Sequence, residues 1–497
     1  MKRATSVFLI LCMILSSSAC SKAKETSASP SETDQARTDP SESESSATTE
    51  TTSGTETTTE SATETTIPDP LPVDSTYFPD PVFMDYISEN IDSDSDGFLS
   101  KDECEAVEVI EINDTYELFS LVGIEHFPNL KELYFECGFV TTLDASKNTA
   151  LEYIDCYGND MTEIDLSGCA KLKEVFGQGN AITNLDISGC TSLERLEFGS
   201  FTDLHTLNGI SDCKNMKELS IGCIDASLLD LSAMPELEKL WFIVDDLSEI
   251  DTSHNPKLRE LRATGKTGSI DISRNTELEI LEIDGWGDVD ADLITSLDLS
   301  QNPKLEYFGL YGSHLHSIDL SNNPELENIT LSENYGISEL DLSENKKLHS
   351  LYCYGNGLTS INVRNCPELD DLICSENFLT EIDVSGNPNL RELACANNKL
   401  TSLDTSSCPI LSNLNCSHNE LSSLDLSKNT HLRNLEIHHN AIAEINVQGI
   451  EDFRILKDSE PGFYDEYGLE GVCEYYYEDG FDSWISIRCD TETKVIF

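Results

Sequence analysis

Residues 348–368 read LHSLYCYGNGLTSINVRNCPE, residues 369–389 read LDDLICSENFLTEIDVSGNPN, and residues 390–410 read LRELACANNKLTSLDTSSCPI. The three stretches keep the same columns at a period of 21 residues. Leucines recur at the first and fourth places, a small residue follows two places later, and an asparagine stands at the ninth. Working outward from this block, further copies start at Leu130, Leu151, Leu172, Leu193, Met216, Leu237, Leu258, Leu278, Leu305, Leu326, Leu411 and Leu432, fifteen in all. The copy from Leu278 carries an insertion of about six residues around Trp286. A repeat this short cannot bury its leucines alone, so the copies must stack and cover one another.

The pattern LxxLxCxxNxL, as in Leu348, Leu351, Cys353, Asn356 and Leu358, resembles the leucine-rich-repeat signature. The second half-repeat (LTSLDLSxNP) is similar to the internalin type of bacterial repeat. The resemblance implies a curved right-handed β-solenoid with one short parallel strand per coil, over residues 121–452. At about 4.8 Å per coil the stack should be roughly 70 Å long.

Phase within the repeat sorts the 17 cysteines. Cys156, Cys353, Cys374, Cys395 and Cys416 hold an inward place, where a thiol acts as a small hydrophobe. Cys169, Cys190, Cys366 and Cys408 share a column with Asn148, Asn255, Asn302, Asn323, Asn387 and Asn429, where a small polar side chain serves turn backbone. Both columns are expected to be reduced and buried. Only Cys473 and Cys489, beyond the repeats, are candidates to pair with each other. Twelve aspartates, Asp144 to Asp425, form another column, each followed two places on by a residue that is usually serine. Local hydrogen bonding to that serine and to backbone is the expected explanation, with weak divalent-cation binding as the alternative.

Before the repeats, residues 92–103 read DSDSDGFLSKDE. This resembles the twelve-residue EF-hand calcium loop at every diagnostic position. The resemblance implies Ca²⁺ held by Asp92, Asp94 and Asp96, by the Phe98 carbonyl, by Ser100 through water, and by both oxygens of Glu103. Gly97 permits the sharp turn and Leu99 makes the apolar contact. Helices are expected over residues 83–91 and 101–110. EF-hands usually come in pairs and only one is present, so the affinity should be loose, on the order of 10⁻⁴–10⁻³ M. Ordering of residues 76–120 as an N-terminal cap over Phe119, Leu121 and Ile124 is the expected role. Residues 453–497, with two candidate strands around Gly480, are expected to form a β-rich C-terminal cap.

The chain opens with Lys2 and Arg3 and a short apolar core over residues 7–15, too short to span a bilayer. Residues 1–19 read as an export signal. Ser17, Ser18, Ala19 and Cys20 resemble a bacterial lipobox, which implies lipidation of Cys20, although Ser17 stands where leucine is usual. Ordinary cleavage after Ala19 is the alternative. Residues 20–75 are rich in Ser, Thr, Glu and Pro and cannot bury enough surface to fold. They suit a tether between membrane and domain, roughly 180 Å at full extension and about 40 Å as a coil. The expected location is the outer face of a bacterial cell membrane.

Ninety-two acidic against 31 basic residues give a net charge of −61, which argues against nucleic acid and favours cationic partners. Outward places of the first strand carry Tyr134, Tyr153, Tyr157 and Phe176 near one end, Tyr307, Tyr311, Tyr352 and Tyr354 past the middle, and Trp241 between. Aromatic side chains on a rigid strand face suit contact with a protein or other surface ligand. No HExxH, GxSxG, P-loop or zinc spacing is present, and His314 and His316 read as surface residues, so an enzyme is not expected. A passive envelope spacer is the alternative to a binding protein.

Overall fold

The computed structural model describes residues 69–497, apart from 114–116, 200–203, 225, 248–249, 268–269, 286–293, 459–461, 464–471 and 479–483. The export signal, Cys20, most of the tether and the insertion around Trp286 therefore lie outside the described residues.

All fifteen repeat starts fall two residues before a strand, from Leu130 ahead of Glu132–Tyr134 to Leu432 ahead of Asn434–Glu436. These strands pair in parallel, coil to coil, in one continuous sheet. Their central residues point inward and stack in register, as in Leu351, Leu372, Leu393, Leu414 and Leu435, all at most 1 % exposed. Alternation does the rest: the residues on either side of each central leucine face out. The protein is a leucine-rich-repeat β-solenoid. Most strands have three residues, but in mid-solenoid Glu218–Ile224, Lys239–Leu247 and Glu260–Thr267 have seven, nine and eight.

A second, interrupted sheet runs on the other side of the coils, with Thr142–Asp144, Glu163–Asp165, Asn184–Asp186 and Thr206–Asn208 paired in parallel. Between the two sheets lie the cysteine and asparagine columns. Cys156, Cys353, Cys374, Cys395 and Cys416 are fully buried, and burial pushes the Cys374 and Cys416 thiols up to about 12. In the mixed column each asparagine is fully buried and donates twice to carbonyls of the preceding coil. Asn323 Nδ2, for example, lies 3.0 Å from Leu299 O and 2.8 Å from Asn302 O. The cysteines that replace it aim Sγ at equivalent carbonyls, at 3.2 Å for Cys190 and 3.7 Å for Cys408. The asparagine of the LxxN half, such as Asn377, donates to Cys353 O and Cys374 O and accepts from Leu358 N–H. This second set satisfies backbone groups that a coil leaves unpaired, while the mixed column adds a second donor to carbonyls that already accept a turn N–H.

At the N-terminal end, helix α1 spans Pro81–Asn90, with proline at its first turn and Asp80 as N-cap. Helix α2 spans Lys101–Ala106 and opens with a capping box between Ser100 and Glu103. The expected continuation of this helix to Ile110 does not occur. Val109–Glu111 instead pairs in parallel with Glu132–Tyr134 and becomes the first strand of the long sheet. Ile110 and Ile112 are buried while Val109 is 46 % exposed, the two-residue alternation of a strand. Leu121 and Ile124 are buried as expected, but Phe119 is 58 % exposed and stacks on Phe139 with ring centroids 5.6 Å apart. Its backbone N–H is held by Asp80 Oδ2 at 2.8 Å, and its ring turns outward.

At the other end, Trp484–Asp490 pairs in parallel with Asn434–Glu436, and Lys494–Ile496 with Glu444–Asn446. The C-terminal segment thus adds another coil, with Val472–Glu478 returning antiparallel against Trp484–Asp490. That register sets Cys473 directly opposite Cys489.

Candidate functional site

The outward positions of the long sheet hold the candidate partner-binding residues, and the structure divides them into three zones. Near the N-terminus, Tyr134, Tyr153 and Phe176 come from three adjacent strands and pack ring to ring, with centroids 5.1 and 5.6 Å apart. Arg195 caps the row, its guanidinium carbon 4.7 Å from the centre of the Phe176 ring. Tyr157 stands apart and is 49 % exposed.

The middle zone departs from the expectation of exposed anchors. Trp241, Tyr307 and Tyr311 are only partly exposed because Arg262 and Glu282 on intervening strands pack among them. Arg262 pairs with Glu260 at 2.6 Å and with the 6 %-exposed Glu282, and it lies 5.8 Å from the Tyr307 ring centre. Burial raises the Glu282 carboxyl against the pull of Arg262. The two tyrosine hydroxyls sit 3.5 Å apart. These side chains are engaged with one another.

The third zone is the open one. Tyr352 and Tyr354 are 41 % and 38 % exposed. Beside them stand two aromatics that the strand phase did not reveal, Tyr335 at 68 % and Phe378 at 51 %. Phe378 is the middle residue of its N-x-L triplet, an outward place on the turn after the strand. Gly357 holds the equivalent place one coil earlier. A Cβ there would come 2.8 Å from Tyr335 O, and its absence helps open a cleft of about 400 Å³ between Tyr335, Tyr354 and Phe378. Glu333 and Glu376 line the same cleft, and the neighbouring Glu376 raises the Tyr354 hydroxyl. The cleft presents aromatic faces between carboxylates, which suits a cation or a basic side chain.

In the acidic loop, carboxylate oxygens of Asp92, Asp94 and Asp96 lie within 4.8 Å of one another. Gly97 has φ +82°, the left-handed turn expected of it. Asp96 beside Asp94 raises the Asp94 carboxyl. Glu103 faces the loop but is taken up locally: Ser93 donates to Oε1 from Oγ (2.6 Å) and N (2.8 Å), and Ser100 N and Oγ donate to Oε2 at 2.9 Å. The serine hydrogen bonds lower its carboxyl to about 2. Leu99 is buried, whereas Phe98 is 42 % exposed. Phe98–Leu99 pairs antiparallel with Leu71–Pro72, so a short strand of this chain occupies the side where a second loop would lie. Converging aspartate oxygens with a glutamate in reach are the donor set of a hard divalent cation.

The aspartate column follows local chemistry throughout. From Asp144 to Asp425, each of the twelve accepts a hydrogen bond from the N–H two residues on. Ser321 lowers the Asp319 carboxyl in this way, so its contribution is complete above the ordinary aspartate value of 3.8 and lost as pH falls through the lowered one. Asn362 and Asn446 make the same turn without charge. Asp319→Asn should therefore leave thermal stability nearly unchanged, and Asp319→Ala should cost on the order of 1 kcal/mol. Equal melting temperatures for the two variants would remove the turn as the explanation.

No family model matches the chain, and no curated protein matches it. Among solved structures, it is similar to the functional domain of InlJ from Listeria monocytogenes, which includes a cysteine ladder. The two are 21 % identical with a TM-score of 0.66, over 84 % of this chain and 97 % of that one. A leucine-rich-repeat protein of Leptospira interrogans is 18 % identical over 72 % of this chain and 95 % of its own (TM-score 0.45). The internalin InlF of Listeria monocytogenes is 19 % identical over 77 % and 95 % (TM-score 0.44). The InlJ likeness is one of fold, an internalin-like solenoid.

Proposed function

We propose that this protein is a cell-surface recognition protein that uses the outward face of its long sheet to bind a protein or other surface ligand with exposed basic groups. The exposed cluster of Tyr335, Tyr352, Tyr354 and Phe378 beside Glu333 and Glu376 carries this reading. Aromatic rings held on a rigid strand face bury much area at small entropic cost. Bacterial surface extracts and host surface extracts, passed over the immobilised domain, supply the ligand, whose affinity is then measured for wild type and variants. Changing the four aromatics together to serine should weaken binding by about 100-fold or more, as expected for hot-spot residues, and leave folding intact. Raising salt should weaken it further. Equal affinity for wild type and variant would remove the site, and a domain that captures nothing specific would favour the spacer.

The export-signal pattern and Cys20 support a lipid-anchored position on the outer face of a bacterial membrane, with residues 20–75 as tether. The acidic loop is proposed to bind Ca²⁺ through Asp92, Asp94, Asp96, the Phe98 carbonyl, Ser100 and Glu103, and to stiffen the N-terminal cap. At about 1 mM Ca²⁺ and the loose affinity of a lone loop, the gain is about 0.4–1.4 kcal/mol. The melting temperature should rise with Ca²⁺, fall with chelator, and respond to neither in Glu103→Gln. A melting curve indifferent to calcium in the wild-type protein would dispose of the site.

A further inference from the structure

Three histidines that no sequence spacing linked meet near the C-terminal end of the solenoid. His418 follows one strand, and His438 and His439 follow the next, so His418 and His439 sit one coil apart at 21 residues. His418 N–H donates to His438 O at 2.9 Å, and Asn419 N–H to His439 O at 3.2 Å. The ring centroids lie 5.2 Å (His418 to His438), 4.2 Å (His418 to His439) and 5.1 Å (His438 to His439) apart. One ring nitrogen from each falls within 4.8 Å of the others.

A second observation points to a ligand. His438 is 5 % exposed, and its Nδ1 is buried without a hydrogen-bond partner among the described residues. A buried ring nitrogen left unpaired lowers stability, so a donor set of this kind calls for something to fill it. Burial, with the two neighbouring histidines, lowers the His438 imidazole. Asp490, from the terminal coil, accepts from His439 N–H at 2.7 Å and Asn440 N–H at 3.2 Å and fixes the turn that carries His439.

We propose that His418, His438 and His439 form a binding site for a divalent transition metal of the zinc class, linking the last two repeat coils. Three imidazole nitrogens suit zinc, copper or nickel and not calcium, which takes oxygen ligands. Zinc binds histidine nitrogen at about 2.0–2.1 Å, so the three nitrogens, now within 4.8 Å of one another, must turn inward to about 3.4 Å to close around the ion. Water or a carboxylate completes the tetrahedron. The ion would staple the last two repeats together, just before the C-terminal coil that Trp484–Asp490 adds.

The test is calorimetric titration of the metal-stripped, untagged chain with ZnCl₂ in calcium-free buffer, with cobalt absorption to report nitrogen ligands in a tetrahedral field. One zinc per chain should bind, and His418→Ala and His439→Gln should each weaken it by more than about 100-fold, since losing a ligand outweighs losing an outer-shell partner. Neither changes a fully buried side chain, so both variants keep the test valid even if His438→Ala fails to fold. Asp96→Asn should leave zinc binding unchanged. Absence of binding, or binding lost in Asp96→Asn and retained in both histidine variants, would overturn the site.

Discussion

Replacing Asp80 with alanine should detach the N-terminal cap from the solenoid. One buried carboxylate, 4 % exposed, holds two elements at once. Oδ1 accepts from the N–H groups of Val82 (2.9 Å) and Phe83 (3.0 Å) at the start of α1. Oδ2 accepts from Phe119 (2.8 Å) and Ser120 (3.0 Å), nearly forty residues on. Hydrogen bonds to a charged acceptor are worth about 1.5–3 kcal/mol, and of the four donors left behind the Phe83 N–H is buried. A loss of about 3–4 kcal/mol is expected, among the larger effects of a single change. Asp80→Asn keeps the shape but turns an amide N–H₂ toward one of the two donor pairs, so it should lose nearly as much. Hydrogen exchange at Phe83, Phe119 and Ser120 reports the detachment directly. Retained amide protection in Asp80→Ala would show that the cap is held by its apolar contacts through Phe83 and Ile87 instead.

Asn323→Ala should divide the solenoid into two unequal cooperative blocks. The Asn323 side chain is fully buried and supplies two hydrogen bonds to carbonyls of the coil before it. Removing it takes the inter-coil donor from Leu299 O and Asn302 O, which keep only the turn N–H groups of Asn302 and Leu305, and opens a small void, at about 1–3 kcal/mol. Stability in a repeat array is a sum of coil and interface terms, so a weak interface in mid-array lets one side melt first. A broadened or two-step urea transition is expected. The column supplies its own control, because Cys169, Cys190, Cys366 and Cys408 stand in the same place and aim one weak donor at the carbonyls. Asn323→Cys should therefore lose less than Asn323→Ala. An unaltered single transition in Asn323→Ala would mean that the turn N–H groups alone hold the interface.

The aromatic face shows where reading a sequence stops. Strand alternation places Trp241, Tyr307 and Tyr352 outward equally well, because that depends only on each residue's own strand. Whether an outward ring stays open depends on its neighbours across the sheet. Tyr307 has Glu282 and Arg262 near it and is covered, while Tyr352 lies between Thr330 and Ile373 and remains open. Tyr335 and Phe378 stand at the tenth place of their repeats, beyond the alternation that reaches Tyr157 and Tyr354 at the seventh. Phe119 reads as inward beside Leu121 and Ile124, yet its backbone hydrogen bond to Asp80 sets its direction.

From the sequence alone came the solenoid, the phase of every coil, the buried cysteine and asparagine columns, the local aspartate turns and the acidic loop. Each is set by residues within one repeat or one loop, and repetition multiplies a weak local preference into an unambiguous pattern. Only the tertiary structure brought His418 to His438 and His439, joined Asp80 to Phe119, turned residues 109–111 into a strand, and separated covered from open tyrosines. Those outcomes depend on the offset between one coil and the next, a distance in space that no single repeat encodes.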